Sequence, residues 1–261
     1  MQLSVDLNAD LGEGAGHDAE LFALISSANI ATGFHAGDPM SIVAAIGAAK
    51  DNGVAIGAHP SFSDRENFGR KEIAVPVSDL VAQLIYQIGA FRALAIAAGV
   101  RPNHVKPHGA LYNMAVRDSK LADAIALAIR SVDPKLILFA PDNTELARAG
   151  EAHGLQVARE IFADRNYRSD GWLVPRTQPN ALLRDPRQAA QRVLRMLREG
   201  KVRSVDGGDV AVRGETICVH SDTPGAVEFA RELRTQLERE GVKISAPKRV
   251  SPVARSKRAA R

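Results

Sequence analysis

Short apolar or β-branched runs alternate with stretches of helical period along almost the whole chain, and this alternation constrains the fold more than any other feature. "LSVDLN", "NIATGF", "VAIGA", "HVKP", "KLILFA", "LQVAREIF" and "TICVH" read as strands. Between them, residues 18–28 carry Leu21, Leu24 and Ile25, residues 41–52 carry Ile42, Ala45, Ile46 and Ala49, and residues 78–98 carry Leu80, Leu84, Ile88, Phe91 and Leu94. Each set lies on one face of a helix of period 3.6. Further helices are predicted from Asp118, with Leu121, Ile125 and Ile129, and over 143–153. Two more have proline just inside the start and glycine just past the end: Asp185-Pro186 to Gly200, and Thr223-Pro224 to Gly241. "VRSVDGGDVAVRG" reads as a hairpin turning at 206–209, and "VKISA" as a final strand.

Seven strand–helix units in succession predict an α/β fold built on a parallel sheet, either closed into a barrel or open and doubly wound. No linker-like composition interrupts the chain before its end. The expectation is one domain over 1–246 and a separate basic tail over 247–261. That tail holds six Lys or Arg and no acidic residue, more than the net charge of +4, so the body is slightly acidic and the high pI belongs to the appendage. Without aromatic residues or helical period the tail reads as a disordered, solubilising end, and nucleic-acid binding is not expected of the body. No apolar run approaches the ~18 residues of a membrane span, and "MQLSVDLNAD" lacks the basic start and apolar stretch of a secretion signal. The single cysteine, Cys218, suits a reducing cytoplasm and sits in a strand, packed rather than nucleophilic.

The polar residues gather by one rule. His35, His59, His108 and His220, four of the seven histidines, each stand at or just past the C-terminal end of a predicted strand. In parallel β/α folds those strand ends share one rim, where active sites are built. One such histidine is ordinarily structural; four placed alike are not. On the first strand Asp6, Asn8 and Asp10 share one face and Val5, Leu7 and Ala9 the other. Glu13 follows in the loop, and Lys106 shares its direction with His108. Asp38, Arg65, Arg70, Asp164, Arg165 and Asp222 lie in loops on the same side, with Arg165 or Arg70 suited to a ligand carboxylate. There is no phosphate-binding G-x-x-x-x-G-K-[ST] loop, no H-E-x-x-H and no G-x-S-x-G, and "GEGAG" misses the dinucleotide spacing because His17 stands where a glycine is needed. Histidines and carboxylates on one rim suit either a divalent metal that activates water or direct acid–base catalysis. Spacing leaves both open, with Asp10, His35, His59 and His108 as candidate metal ligands.

"DLNADLGE", "ANIATGFHAGDP", "VAIGAHPSF", "FGRKE", "YQIGA", "HVKPHGALYN", "FADRNY", "LVPRTQP" and "CVHSDTPGA" resemble, in order, the motifs of the LamB/YcsF family, that of the 5-oxoprolinase A subunits. The resemblance runs from about Val5 to Pro247. It implies a single-domain seven-stranded (β/α) barrel related to glycoside hydrolase/deacetylase barrels. It also implies ATP-dependent opening of 5-oxo-L-proline to L-glutamate together with partner subunits B and C, ATP serving as cosubstrate with Mg. Ala9 and Thr32 stand where the family often has cysteines, and Ser221 where it has glycine; a thiol nucleophile is thereby disfavoured. On this reading Asp10 or Asp6 activates water or binds a metal. His35, His59 and His108 position water or protonate the leaving nitrogen, and Lys106 stabilises anionic oxygen. Arg70 or Arg165 holds the substrate carboxylate, with Asn8, Glu13, Asp38, Asp164, His220 and Asp222 completing the binding site. The alternatives are a metal-dependent deacetylase or amidohydrolase needing no ATP, and a non-catalytic protein that only binds substrate. A homo-oligomer is compatible with either.

Overall fold

The structure, a computed structural model, describes residues 3–220 and 225–249. In chain order the elements are β1 (Ser4–Leu11), α1 (Asp18–Phe22), β2 (Ser27–Ala31), α2 (Pro39–Asp51), β3 (Ala55–His59), α3 (Val77–Ala97), β4 (His104–Val105), α4 (Gly109–Ala115), α5 (Ser119–Val132), β5 (Ile137–Ala140), α6 (Glu145–Ala152), β6 (Gln156–Phe162), α7 (Pro186–Glu199), β7 (Lys201–Arg203), β8 (Asp209–Ala211), β9 (Thr216–Val219), α8 (Ala226–Arg239) and β10 (Lys243–Ile244). Seven parallel strands pair in the order β1-β2-β3-β4-β5-β6-β9, and β9 returns to β1, so the sheet closes. β10 extends one edge by pairing with Ser4 and Val5 of β1, below the β9 register. β7 and β8 form the antiparallel hairpin outside the barrel.

Closure explains the two-sided pattern of β1. Val5, Leu7, Ala9 and Leu11 are buried against the surrounding helices, while Asp6, Asn8 and Asp10 point into the barrel. The helices cover the outside through the predicted stripes: Leu80, Leu84, Ile88 and Phe91 of α3, and Leu121, Ile125 and Ile129 of α5, are all buried. Contrary to the sequence expectation, α3 passes for a membrane span by length and composition, with a mean hydropathy of 1.5 over its best window. Its apolar face is used here against the barrel.

Two local differences have plain causes. The helix expected over 18–28 stops at Phe22, because Ser27–Ala31 is taken up as β2 between β1 and β3. Strand pairing on both sides outweighs the local helical period. α4 escapes the sequence reading because it is short and begins at a glycine. At the start of the expected tail the carbonyls of Pro247 and Lys248 accept hydrogen bonds from Asn103 and Gln156, and Arg249 faces Asp133 at 3.8 Å. Residues 250–261, the rest of the tail, lie outside the described residues.

Midway down the barrel the interior is filled by polar side chains that hydrogen-bond to one another, with His104 Nδ1 left without a partner. Asn8 donates to Thr216 at 2.7 Å, Asn29 donates to Asn8 at 2.8 Å, and His104 Nε2 meets Asn29 Oδ1 at 2.8 Å. His104 stacks on Phe139 (4.1 Å, 2°) and lies flat over Gly57, its neighbour in register. A Cβ at Gly57 would sit 2.2 Å from His104 Cδ2. Gly57→Ala should therefore displace the ring, losing its stack and its hydrogen bond. We expect a loss of about 3 kcal/mol in urea unfolding; an unchanged midpoint would show that the ring has room to move.

Candidate active site at the barrel mouth

The carboxyl ends of the strands surround a cavity of about 640 Å³ lined by Asp10, Glu13, His59, Arg70, Lys106, His108, Tyr112, Glu160, Arg165 and His220, among others. Five of the strands and the loops after them supply these residues. Asp10 lies next to the last residue of β1, His59 is the last residue of β3, Lys106 follows β4, Glu160 lies on β6 and His220 follows β9. The rim rule holds for all four histidines, although His35 lies four residues past β2 and is reached through the turn at Gly33 (φ 98).

Two constellations meet at this mouth. In the first, Glu13 Oε1 lies 3.0 Å from His35 Nε2, 3.3 Å from His108 Nδ1 and 3.7 Å from His59 Nε2. The two imidazoles of His59 and His108 approach to 3.0 Å, and His35 stacks on His108 at 3.8 Å. These four donor atoms lie within 4.8 Å of one another, so among the described residues they could hold a metal ion. In the set expected from sequence, Glu13 takes the place given to Asp10, which stands 3.4 Å from His59 Nε2 on the cavity side.

The loop "FGRKE" makes this crowding possible. Phe68 adopts φ 55 and Gly69 φ 65, a left-handed turn that is costly for a phenylalanine. The turn aims the Phe68 carbonyl at His108 Nε2, 2.8 Å away. A Cβ at Gly69 would lie 2.9 Å from both His108 Cδ2 and His35 Cβ, so glycine is required.

The second constellation centres on Lys106. Its ammonium lies 3.0 Å from Asp10 and 3.0 Å from Glu160, and it also reaches Asn8 Oδ1 (3.2 Å) and Cys218 Sγ (3.1 Å). Tyr112 donates its hydroxyl to the other Glu160 oxygen. Burial alone would discharge Lys106, but Asp10 and Glu160 hold its pKa well above the usual lysine value. Burial would likewise raise Asp10, yet His59 and Lys106 keep its carboxyl well below the carboxylate range. Burial, reinforced by His59, pushes His35 and His108 down to about 3, so both are neutral. His59 resists burial through Asp10 and is shifted upward. Burial lifts the Cys218 thiol well above its ordinary range, which agrees with a packed, unreactive side chain.

Other expected site residues take different places. Asp6 lies deeper than the mouth, accepting from Ser26 and Thr216 at 2.6 Å each, and does not line the cavity. Asn8 also stays below it, tying Glu160 and Thr216 together. Asp38 is corrected outright. It is the N-cap of α2, accepting from Met40 N (2.8 Å) and Ser41 N (3.0 Å) in a capping box. Asp38→Ala should cost about 1 kcal/mol of stability and leave turnover unchanged; a fall in turnover at full folding would return Asp38 to the site. Arg65 donates to the Gly33 carbonyl at 3.1 Å. Asp164 holds His220 Nδ1 (2.8 Å) and so orients that ring from behind. Arg165 and Arg70 both face the cavity; Arg165 donates to the Val174 carbonyl at 2.7 Å, and its Nε is buried without a hydrogen-bond partner. Asp222 and Ser221 lie outside the described residues. Ala9 faces the helices and Thr32 donates to Gln87 at 2.9 Å, so neither position opens into the mouth.

Sequence reasoning missed Glu160 and Tyr112. The signal for Glu160 was present: on β6 it shares its face with Ala158 and Phe162, while Arg159 turns outward to Asp142 and Glu151. A carboxylate on the inward face of a barrel strand asks for a cation, and Lys106 is that cation.

A closed seven-stranded parallel barrel, with imidazoles, carboxylates and an ammonium converging on its carboxyl-end mouth, has the layout of a (β/α)-barrel hydrolase site. Residues 5–252 match the LamB/YcsF family, and the chain belongs to it. It is 53% identical to the 5-oxoprolinase A subunit of Erwinia tasmaniensis over 243 residues, covering 93% of this chain and 99% of that one. Among solved structures it is similar to the lactam utilization protein from Thermus thermophilus. The TM-score is 0.89 at 48% identity, covering 94% of this chain and 100% of the other.

Proposed function

We propose that this chain is the A subunit of an ATP-dependent 5-oxoprolinase, opening the lactam of 5-oxo-L-proline to L-glutamate in the cytoplasm with partner subunits B and C. The observation that carries this reading is the Asp10–Lys106–Glu160 arrangement beside three histidines in a cavity that also presents Arg70 and Arg165. It stands in a chain over half identical to a protein of that name.

A lactam carbonyl resists water because amide resonance spreads its charge. Transfer of the ATP γ-phosphoryl group to the carbonyl oxygen, with Mg balancing the phosphates, leaves ADP and an activated ring carbon. Water then adds its oxygen to that carbon. The C–N bond breaks with its electron pair going to nitrogen, a proton completes the amine, and a second water cleaves the acyl phosphate that remains, releasing the carboxylate and phosphate. Asp10, ionised at neutral pH, is the group to take the proton from water and to pass it on to the leaving nitrogen, while the histidines position that water. Lys106 offsets the negative charge that develops on oxygen. Arg165, with its unpartnered Nε, or Arg70 holds the substrate carboxylate.

The test is glutamate release from 5-oxoproline by this chain with and without the partner subunits, each with and without ATP. Release that needs both is expected. Release by the chain alone without ATP would establish a stand-alone amidohydrolase instead, and retained turnover after changing His35, His59 and His108 together would reduce the chain to a substrate-binding role.

A further inference from the structure

We infer that Glu13, His35, His59 and His108 form a binding site for one divalent transition-metal ion. The inference rests on the same barrel mouth as the proposed reaction but not on the use of ATP. Its basis is where the imidazole protons are. His59 Nδ1 lies 2.7 Å from the Lys106 carbonyl and His108 Nε2 lies 2.8 Å from the Phe68 carbonyl. A carbonyl only accepts, so each of these nitrogens carries its ring's proton. Ser61 Oγ donates its single proton to the Phe62 carbonyl at 2.7 Å, so it accepts from His35 Nδ1 at 3.1 Å. With each ring's outward nitrogen holding a proton, its other nitrogen is the one turned toward Glu13 Oε1, itself an acceptor.

Four lone pairs facing one another are repulsive unless something positive lies among them. One extra proton, on His59, can bridge only one of the contacts. A single ion can satisfy all four. Tetrahedral bonds of about 2.0 Å put ligand atoms roughly 3.3 Å apart, and the contacts here are 3.0, 3.3 and 3.7 Å to Glu13 and 3.0 Å between His59 and His108. Three imidazoles and one carboxylate suit zinc and its first-row neighbours rather than Mg. The outward N–H bonds to carbonyls and to Ser61 are the supports that fix metal-ligating histidines. His35 and His108 stack at 7°, so binding both nitrogens tilts one ring out of that stack. Glu13, His59 and His108 border the cavity, which leaves a side from which water or substrate reaches the ion.

The full chain, stripped with a chelator and dialysed, should take up one Zn²⁺, and one Co²⁺ with the intense visible absorption of a four-coordinate site. Glu13→Gln and His59→Asn should each weaken uptake at least ~10-fold, and Ser61→Ala, which removes only the support of His35, by ~10-fold. Circular dichroism establishes that each variant is folded. The inference is overturned if the stripped chain binds neither ion, or if binding is unchanged in Glu13→Gln and Ser61→Ala. Uptake is read without ATP, partners or 5-oxoproline. Metal binding without glutamate release from the full assembly would therefore defeat the proposed reaction and leave the site standing. Full release with no ion bound would do the reverse.

Discussion

Lys106→Met is expected to cost 3–5 kcal/mol of stability and to lower turnover by a factor of about 10²–10³. The ammonium is 5% exposed and neutralises two carboxylates at once, Asp10 and Glu160, each 3.0 Å away. Methionine fills the space of the stem but leaves Glu160 without its cation and Asp10 with His59 alone. Burial with a lost partner, rather than lost packing, is the larger cost. A second substitution separates stability from chemistry. Glu160→Gln in the Lys106→Met background removes one orphaned charge, so unfolding by urea should recover much of the loss while turnover stays low. Turnover restored along with stability would mean that Lys106 is structural.

Asp6→Asn should change how stability depends on pH. Burial raises the Asp6 pKa from 3.8 to about 6, against the lowering effect of its hydrogen bonds from Ser26 and Thr216. Between those two values the unfolded chain has already lost the proton while the folded chain keeps it. Stability conferred by the protonated form is thus present at pH 4, declines as pH rises toward 6, and stays low above it. With about 1.4 kcal/mol per pKa unit, wild type should lose about 3 kcal/mol across this window from Asp6 alone. The asparagine chain lacks that decline, so the difference between the two unfolding curves should widen between pH 4 and pH 7. A constant difference would show that Asp6 ionises freely in the folded barrel.

Much of this architecture was legible in the sequence, for identifiable reasons. A period of two in "SVDLNADL" separates a helix-facing from an interior side without any knowledge of the partners, and Asp6, Asn8 and Asp10 fall on the interior as expected. Strand ends fix the rim, so His59, His108 and His220 were placed by counting. Depth along the strand is another matter. Periodicity puts Asp6 and Asp10 on the same face, but only the register with Thr216 and Asn29 shows that the first is sealed inside and the second opens into the cavity. Loop residues were legible only by side: Asp38 is spent on its own helix, and Glu13 reaches the histidines through a loop path no pattern describes. Glu160 was readable in principle, as a charge on an inward strand face. Its partner Lys106 lies 54 positions earlier, and no local rule joins them.

In the proposed reaction, carboxylates and imidazoles at the barrel mouth perform the ring opening rather than merely holding a substrate. Asp10→Asn tests it most directly, because the change keeps size and shape while removing the charge that faces Lys106 and His59. In the full assembly with ATP and 5-oxoproline, glutamate release should fall by about 10²-fold or more with the fold intact by circular dichroism. Release at the wild-type rate would contradict the claim and move the chemistry elsewhere in the complex.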